Sequence, residues 1–502
     1  MVTRWGLILL IEAGIVAMTQ VGSEAQQKFP FGQSLGYRVW IGEAPAGWME
    51  LRFEDTLYEG RPAVRSELTL ELTLRRSGTP VALRRVRTAY FDQEAPYRPY
   101  VLTALTEEPA GVRRAECRFQ EGKVLLRLEI EDRAVENELP APATLLLEEA
   151  LPYYLWAEPF SEPGEQRRIA LFNSDVLRPI WADLRFLGEE LSPIGGRTVP
   201  ARRYRQRLDW MGGVVTEEWY SPSGGLLRMD LAMGGLPLRL ERVWEPSSVP
   251  DLQELPEVDL LVATRIPTAG RPERPDRLRA LLRLEDGSPW HAESIPHSPR
   301  QQVRWDPESG AVLVEVQQDP VPERPAPFPL EVSDPTLQRY LQPSAFVEAN
   351  DPQIVQAAQE IVAGAANAWQ AAERIARWVY QHVNNKGLDQ GFATAKETLQ
   401  SRAGDCTEHT MLAIALSRAA GIPARILAGI VWQNDGFYYH FWHEVWVGEW
   451  IALDATLGQA PADAAHIQLS PVQFESETAL EFGEGIFRTL NRLSIHLLPP
   501  AP

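Results

Sequence analysis

Residues 63–76 read AVRSELTLELTLRR, and this run limits the fold more than any other feature of the chain. Leu68, Leu70, Leu72 and Leu74 alternate with Glu67, Thr69, Glu71 and Thr73, so an extended strand gathers the leucines on one face and leaves the other wet. A helix would scatter the same leucines around its surface. The pattern returns in KVLLRLEIED (123–132) and PLRLERVW (237–244), with SGTP, PIGG and SPSGG as turn signals between strands. Half-polar alternation of this kind requires antiparallel pairing with one solvated face. Its persistence from about residue 36 to 245 predicts a long curved sheet or partial barrel. No catalytic constellation lies within it.

At 502 residues the chain exceeds what one core sustains. Proline and acidic residues thicken in WEPSSVPDLQELPEVD (244–259) and again in PVPERPAPFPLEVSDP (320–335), which read as linkers. Between them VDLLVATRIP, RLRALLRLE and AVLVEVQQDP form a second β module. Beyond residue 335 the character changes to alanine-rich helical segments with Asp-Pro or Thr starts, followed by strand-like ARILAGIVWQ, FYYHFWHEVWV and WIALDAT. The expected fold class is therefore α+β multidomain, with antiparallel β domains first and an α+β domain last. The expected units are a mainly β domain at 26–247, a small β domain at 256–325, an α+β unit at 336–480 and a C-terminal tail at 481–502.

Residues 1–25 combine a basic start at Arg4, an apolar run from Trp5 to Met18 and a small-x-small site at Ser23–Ala25, the arrangement of a secretory signal peptide. They predict export to the periplasm or beyond. Glu12 interrupts the apolar run, so an uncleaved anchor or a plain first helix of a cytoplasmic protein stays open. No other stretch is apolar enough to span a bilayer. The formal charge of −19 excludes nucleic acid as a partner, because phosphates need a basic face.

Only two cysteines occur. Cys117 sits in strand-like AECRFQ, and it and Cys406 are read as unpaired thiols. Cys406 opens the segment RAGDCTEHTMLAIALSRAAGIPAR. Asp405 is a good N-cap, Gly421 and Pro423 close the far end, and the interior is apolar nearly all round, which predicts a buried helix. A thiol in the first turn of a helix lies at the positive end of the dipole, which favours thiolate, and the first-turn N–H groups suit an oxyanion. Asp405 and Glu408 oppose that field, so a cation is needed nearby.

Of the histidines that follow Cys406, His409, His440, His443 and His466 lie within the expected α+β unit. His440 and His443 lie on one strand, and Asp454 ends the strand that hairpins back. Side-chain alternation puts the two histidines on opposite faces. A two-residue turn at Gly448-Glu449 sets Asp454 opposite His443, whereas a three-residue turn at 447–449 sets it on the face of His440. His409, one helical turn beyond Cys406, is expected to pack beneath the site.

Gly404-Asp405-Cys406, the helix ending RAAGIPARILAG, His-x-Trp-x-Glu-Val at 440–445 and Trp-x-x-x-Asp-x-Thr at 450–456 together resemble the transglutaminase-like superfamily, over about residues 345–470. That papain-related fold is shared by transglutaminases and many bacterial thiol proteases and amidases. The resemblance implies a triad of Cys406 as nucleophile, His440 as base and acid, and Asp454 as orienter. It implies acyl transfer on peptide or side-chain amides, with a protein or peptide as substrate and either water or an amine as acceptor. It also suggests an oxyanion donor upstream of the cysteine, for which Trp378, Gln381 and Asn384 are candidates, and a structural Arg425. Trp442 is expected to pack in the sheet or wall the groove, and Glu444 to anchor the strand face. No cofactor or metal is expected, and no clustered acidic calcium loop is present. Two other readings remain: a zinc site of Cys406, His409, His440 and His443, and an idle scaffold that grips a partner.

Overall fold

The computed structural model describes residues 28–244, 265–470 and 489–499, apart from internal gaps of at most seven residues such as 210–213, 286–289 and 386–392. The expected signal peptide, most of the first linker and the 471–488 stretch lie outside the described residues.

The alternating region forms one sheet of fifteen strands. Strands β1–β8 (Ser34–Ile41, Ala44–Tyr58, Arg61–Arg76, Thr79–Asp92, Pro99–Glu108, Gly111–Gln120, Lys123–Ile130 and Arg133–Pro140) meander outward in one direction. After β9 (Leu145–Leu147), strands β10–β15 (Gln166–Asn173, Arg178–Ile194, Arg197–Leu208, Val215–Tyr220, Leu226–Met233 and Leu236–Val243) meander back, and β15 pairs with β1 from Gly36↔Val243 to Ile41↔Leu238. Every pairing is antiparallel except the short parallel contact of β9 with β10. Leu68, Leu70 and Leu72 of β3 are partly buried against the main core, as their alternation predicts. Helix α1 (Leu151–Ala157) closes part of the sheet through an aromatic nest, with Phe29 placed 5.0 Å from both Phe53 and Tyr153 in edge contacts. Cys117 is buried on β6 and unpaired.

A second sheet has the order β17–β18–β16–β23, with β16 at Arg277–Leu284, β17 at Gln301–Asp306, β18 at Ala311–Gln317 and β23 at Leu493–Leu498. Its edge strand β23 comes from the segment expected as a tail, and runs antiparallel to β16 from Arg279↔Leu498 to Leu284↔Leu493. The third sheet has the order β21–β20–β19–β22, from β19 (Ala424–Gln433), β20 (Gly436–Trp446), β21 (Trp450–Leu453) and β22 (His466–Gln468). Helices α2 (Pro352–Val362), α3 (Ala368–His382), α4 (Ala395–Ser401) and α5 (Cys406–Ala419) precede it and pack on one of its faces.

The expectation of an α+β chain needs correction at the level of the whole molecule, which is mostly β. Helices dominate only between residues 352 and 419, while strands with period-two alternation make up most of residues 34 to 243, apart from α1 and the turn before it. The α+β character belongs to the C-terminal domain alone.

One face of the third sheet serves two cores along its length. Ile426, Val445, Ile451 and Leu453 join the core built on α2, α3 and α5. Ile430, Phe437 and Ile467 pack instead against Leu278, Val312 and Val314 of the second sheet. The chain between β21 and β22 is clamped by that second sheet. Arg300 binds the carbonyls of Ala462, at 3.0 Å, and Asp463, and Gln301 exchanges hydrogen bonds of 2.8 and 2.9 Å with the backbone of Gln468.

Candidate active site

Helix α5 is built as its sequence predicts. Residues from Thr407 to Ser417 are buried without a break, so the helix runs through the middle of the domain. Its start is a capping box: Asp405 accepts from Thr407 N–H at 2.7 Å and from the N–H of Glu408, and the Glu408 carboxylate accepts from Asp405 N–H at 2.8 Å. Gly404 is required there. Its φ is +148°, and a Cβ would lie 2.3 Å from that of Glu408. The cap therefore occupies the N–H donors of Thr407 and Glu408.

The β20–β21 register decides which histidine shares a face with Asp454. Trp446 pairs with Trp450, so 447–449 is a three-residue turn, with Gly448 at φ +111° and Val447 N–H bound to Glu449 O at 2.9 Å. Asp454 consequently shares a face with His440. His440 Nε2 donates to Asp454 Oδ2 at 2.7 Å, and Cys406 lies close enough to the same imidazole to help hold its proton. Cys406, His440 and Asp454 are thus brought together. Cys406 is partly exposed, His440 is 4 % exposed and Asp454 fully buried.

Asp454 is held on every side. Its Oδ1 accepts from Thr456 N–H at 2.7 Å and Leu457 N–H at 3.0 Å. Burial would raise its carboxyl, but His440 and His466 outweigh that and hold it well below the usual carboxylate range. Burial likewise would lower the His440 imidazole. The charge and hydrogen bond of Asp454, and then Cys406, reverse this and lift it to about 9. His440 is therefore held as a cation beside the first turn of α5.

His443 is not part of this group. It is buried on the helix-facing side, its Nδ1 has no hydrogen-bond partner among the described residues, and burial pushes it down to about 4. His409 is fully buried, with Nδ1 bonded to Asp405 O at 2.6 Å. Because His440 and His443 point to opposite faces, the four ligands of the alternative zinc site do not converge. Among the described residues the group with metal-like spacing is His440, Asp454 and His466.

His466 is the residue that sequence reading left without a place. Its Nε2 lies 2.9 Å from Asp454 Oδ2, and its Nδ1 lies 2.9 Å from Asp463 Oδ1. The Asp463-x-x-His466 spacing is a faint signal at best, since nothing in it points to Asp454. Trp442 is 1 % exposed and packs 6.2 Å from the His440 ring and 5.2 Å from that of His466, so it fills the sheet rather than walling a groove. Arg425 pairs with Glu444, reaches Tyr340 Oη at 3.0 Å and covers the Trp450 ring at 4.0 Å, which makes it a brace between strands. Of the three oxyanion candidates, Trp378 stacks on His382 at 4.1 Å, while Gln381 and Asn384 are exposed. The backbone of the neighbouring Asn385 ties to Arg402 O and Gly404 N–H, next to the cap.

Residues 355–455 match the transglutaminase-like superfamily, and this segment holds Cys406, His440 and Asp454. The C-terminal domain is thus transglutaminase-like. No curated protein matches the chain. Among solved structures, a candidate cysteine protease from Cytophaga hutchinsonii is 17 % identical, covering 44 % of this chain and 82 % of its own, with a TM-score of 0.27. The periplasmic domain of TgpA from Pseudomonas aeruginosa, bound to ethylmercury, is 18 % identical over 39 % of this chain and 76 % of its own, with a TM-score of 0.24. A β-barrel-like protein of unknown function from Brucella abortus is 10 % identical over 42 % of this chain and 95 % of its own, with a TM-score of 0.34. Among the described residues no helix is long and apolar enough to cross a membrane.

Proposed function

We propose that the chain is a thiol-dependent acyl-transfer enzyme acting on peptide or side-chain amides, and that hydrolysis is its reaction. The observation that carries this reading is one buried imidazole, His440, bonded at 2.7 Å to Asp454 and raised by it and by the neighbouring Cys406, which opens a buried helix. Cys406 Sγ attacks the amide carbonyl carbon, and the carbonyl electron pair moves to oxygen, facing the Cys406 N–H. His440 protonates the departing amine as the C–N bond breaks, leaving a thioester. Water, deprotonated by His440, then releases the acid and restores the thiol. Asp454 keeps Nε2 protonated and the ring oriented, so that Nδ1 exchanges the proton. Nothing in the site selects an amine over water as acceptor, which favours hydrolysis over cross-linking.

Two further parts of the reading rest on sequence. The leader-like residues 1–25 support export, with a protein or peptide met outside the cytoplasm as substrate. The domain plan of mainly β, small β and catalytic units is retained, with β23 assigned to the small β unit. The test is incubation of the full chain with a peptide library, followed by mass spectrometry of products and of the protein. New peptide termini or deamidated side chains, lost in Cys406→Ala, together with an acyl adduct on Cys406, support the reading. Product formation unchanged in Cys406→Ala overturns it.

A further inference from the structure

Asp454 Oδ2, the oxygen that takes His440, also takes a second imidazole that the acyl-transfer chemistry does not itself use. His466 is fully buried, and each of its ring nitrogens faces a carboxylate: Nε2 at 2.9 Å from Asp454 Oδ2, Nδ1 at 2.9 Å from Asp463 Oδ1. Ionised carboxylates only accept, so both nitrogens must donate, and the ring that satisfies both is the imidazolium. Asp463 is itself kept ionised. Its Oδ1 also takes the Ala465 N–H at 3.0 Å and its Oδ2 takes Gln459 Nε2 at 2.9 Å. The charged groups around His466 are then Asp454, Asp463 and His440, whose ring lies 5.9 Å away, with Arg300 behind Asp463 on its backbone carbonyl. Trp442 packs edge-on to His466 and closes the remaining side to water.

We propose that His466 is a positioning residue for Cys406 and His440: as an imidazolium wedged between Asp463 and Asp454, it fixes the Asp454 carboxylate on His440 and divides that carboxylate's charge between two cations. The proposal rests on the Cys406–His440–Asp454 reading given above. Its physical consequence is specific. A lone Asp454 would hold the proton on His440 more firmly, whereas His466 weakens that hold through like-charge repulsion and leaves His440 readier to give its proton to the leaving amine. The segment leading into β22, and β22 itself, which begins at His466, are held by Arg300 and Gln301, so the second sheet reaches the reacting atoms through this residue.

The experiment uses the full chain and needs no substrate. Alkylation of Cys406 by iodoacetate is followed against pH, because this anionic reagent is drawn by the His440 imidazolium and slows as that charge is lost at the alkaline end. His466→Gln keeps an N–H donor and removes the charge. The alkaline limb should move up by about half a pH unit or more, with the plateau rate changed less than about threefold. His466→Ala should lower the plateau about tenfold by freeing the carboxylate, with Gln restoring it. In wild-type protein labelled with 15N-histidine, both ring nitrogens of His466 should carry protons throughout pH 5–8. A neutral His466 in that range, or a limb unmoved in His466→Gln, overturns the proposal. If wild-type Cys406 alkylates no faster than a free thiol, the acyl-transfer reading fails instead, while the protonation state of His466 still reports on the buried array.

Discussion

His440 and His443 lie three residues apart on one strand, and the pleat sends them into opposite electrostatic surroundings. His440 meets Asp454 at 2.7 Å and is lifted to about 9, while His443 enters the helix-packed core and falls to about 4. One strand therefore holds a cation and a neutral ring at the same pH.

That contrast fixes the sign of the pH dependence of stability. The folded-state value of His443 is depressed, so unfolded chains bind its proton more readily, and stability is lost as pH falls from about 6.5 through about 4. The full difference is on the order of 3 kcal/mol at one unit per 1.36 kcal/mol. His440 works in the other direction: its contribution is complete below about 6.5 and is lost as pH rises through about 9. Denaturant unfolding at pH 4.5, 6.5 and 9 should place maximal stability at the middle value, and His443→Phe should flatten the acid side. An unchanged acid slope in that variant would contradict the assignment of His443.

Gly404 should not tolerate a side chain. Ala at φ +148°, with its Cβ within 2.3 Å of Glu408, forces the capping box apart, at a cost of about 2–3 kcal/mol, and displaces the first turn of α5. Thermal unfolding should show the loss, and alkylation of Cys406 should slow with it. Gly421→Ala is the control, strained at φ +79° but with no atom within 4 Å of its Cβ, and should leave Cys406 reactivity unchanged.

The Arg425–Glu444 pair is predicted to be structural. Burial raises the Glu444 carboxyl and Arg425 opposes that shift, so Arg425→Ala leaves a buried carboxylate without its partner. The loss should be about 2 kcal/mol, reduced from the fully buried case because Arg425 is 23 % exposed. Glu444→Leu placed on that variant should recover part of it. Equal losses in the single and double variants would show that the pair itself carries no coupling.

How much of this was legible follows from how local each cause is. The leucine alternation of β3 and the Asp405, Gly421 and Pro423 signals around α5 are local, and strand and helix formed where they stood. The partner of Asp454 was not local. It turned on whether two or three residues make the turn before Trp450, and that depends on the backbone angle of Gly448. His466 was further out of reach. Its place on Asp454 is set by strand β22 and the residues before it, held by Arg300 and Gln301 more than 160 residues earlier in the chain. The same holds for β23, whose pairing with β16 joins residues near 495 to residues near 282. Alternation alone cannot announce such a partner.

The central claim is that His440, and not His443, serves Cys406. Its most direct test is the rate of Cys406 alkylation by iodoacetamide at pH 6–7, in wild type, His440→Ala and His443→Ala. The account predicts fast alkylation in wild type, a fall of about tenfold or more in His440→Ala, and a change of less than about threefold in folded His443→Ala. Alkylation unaffected by His440→Ala but lost in a folded His443→Ala would contradict it.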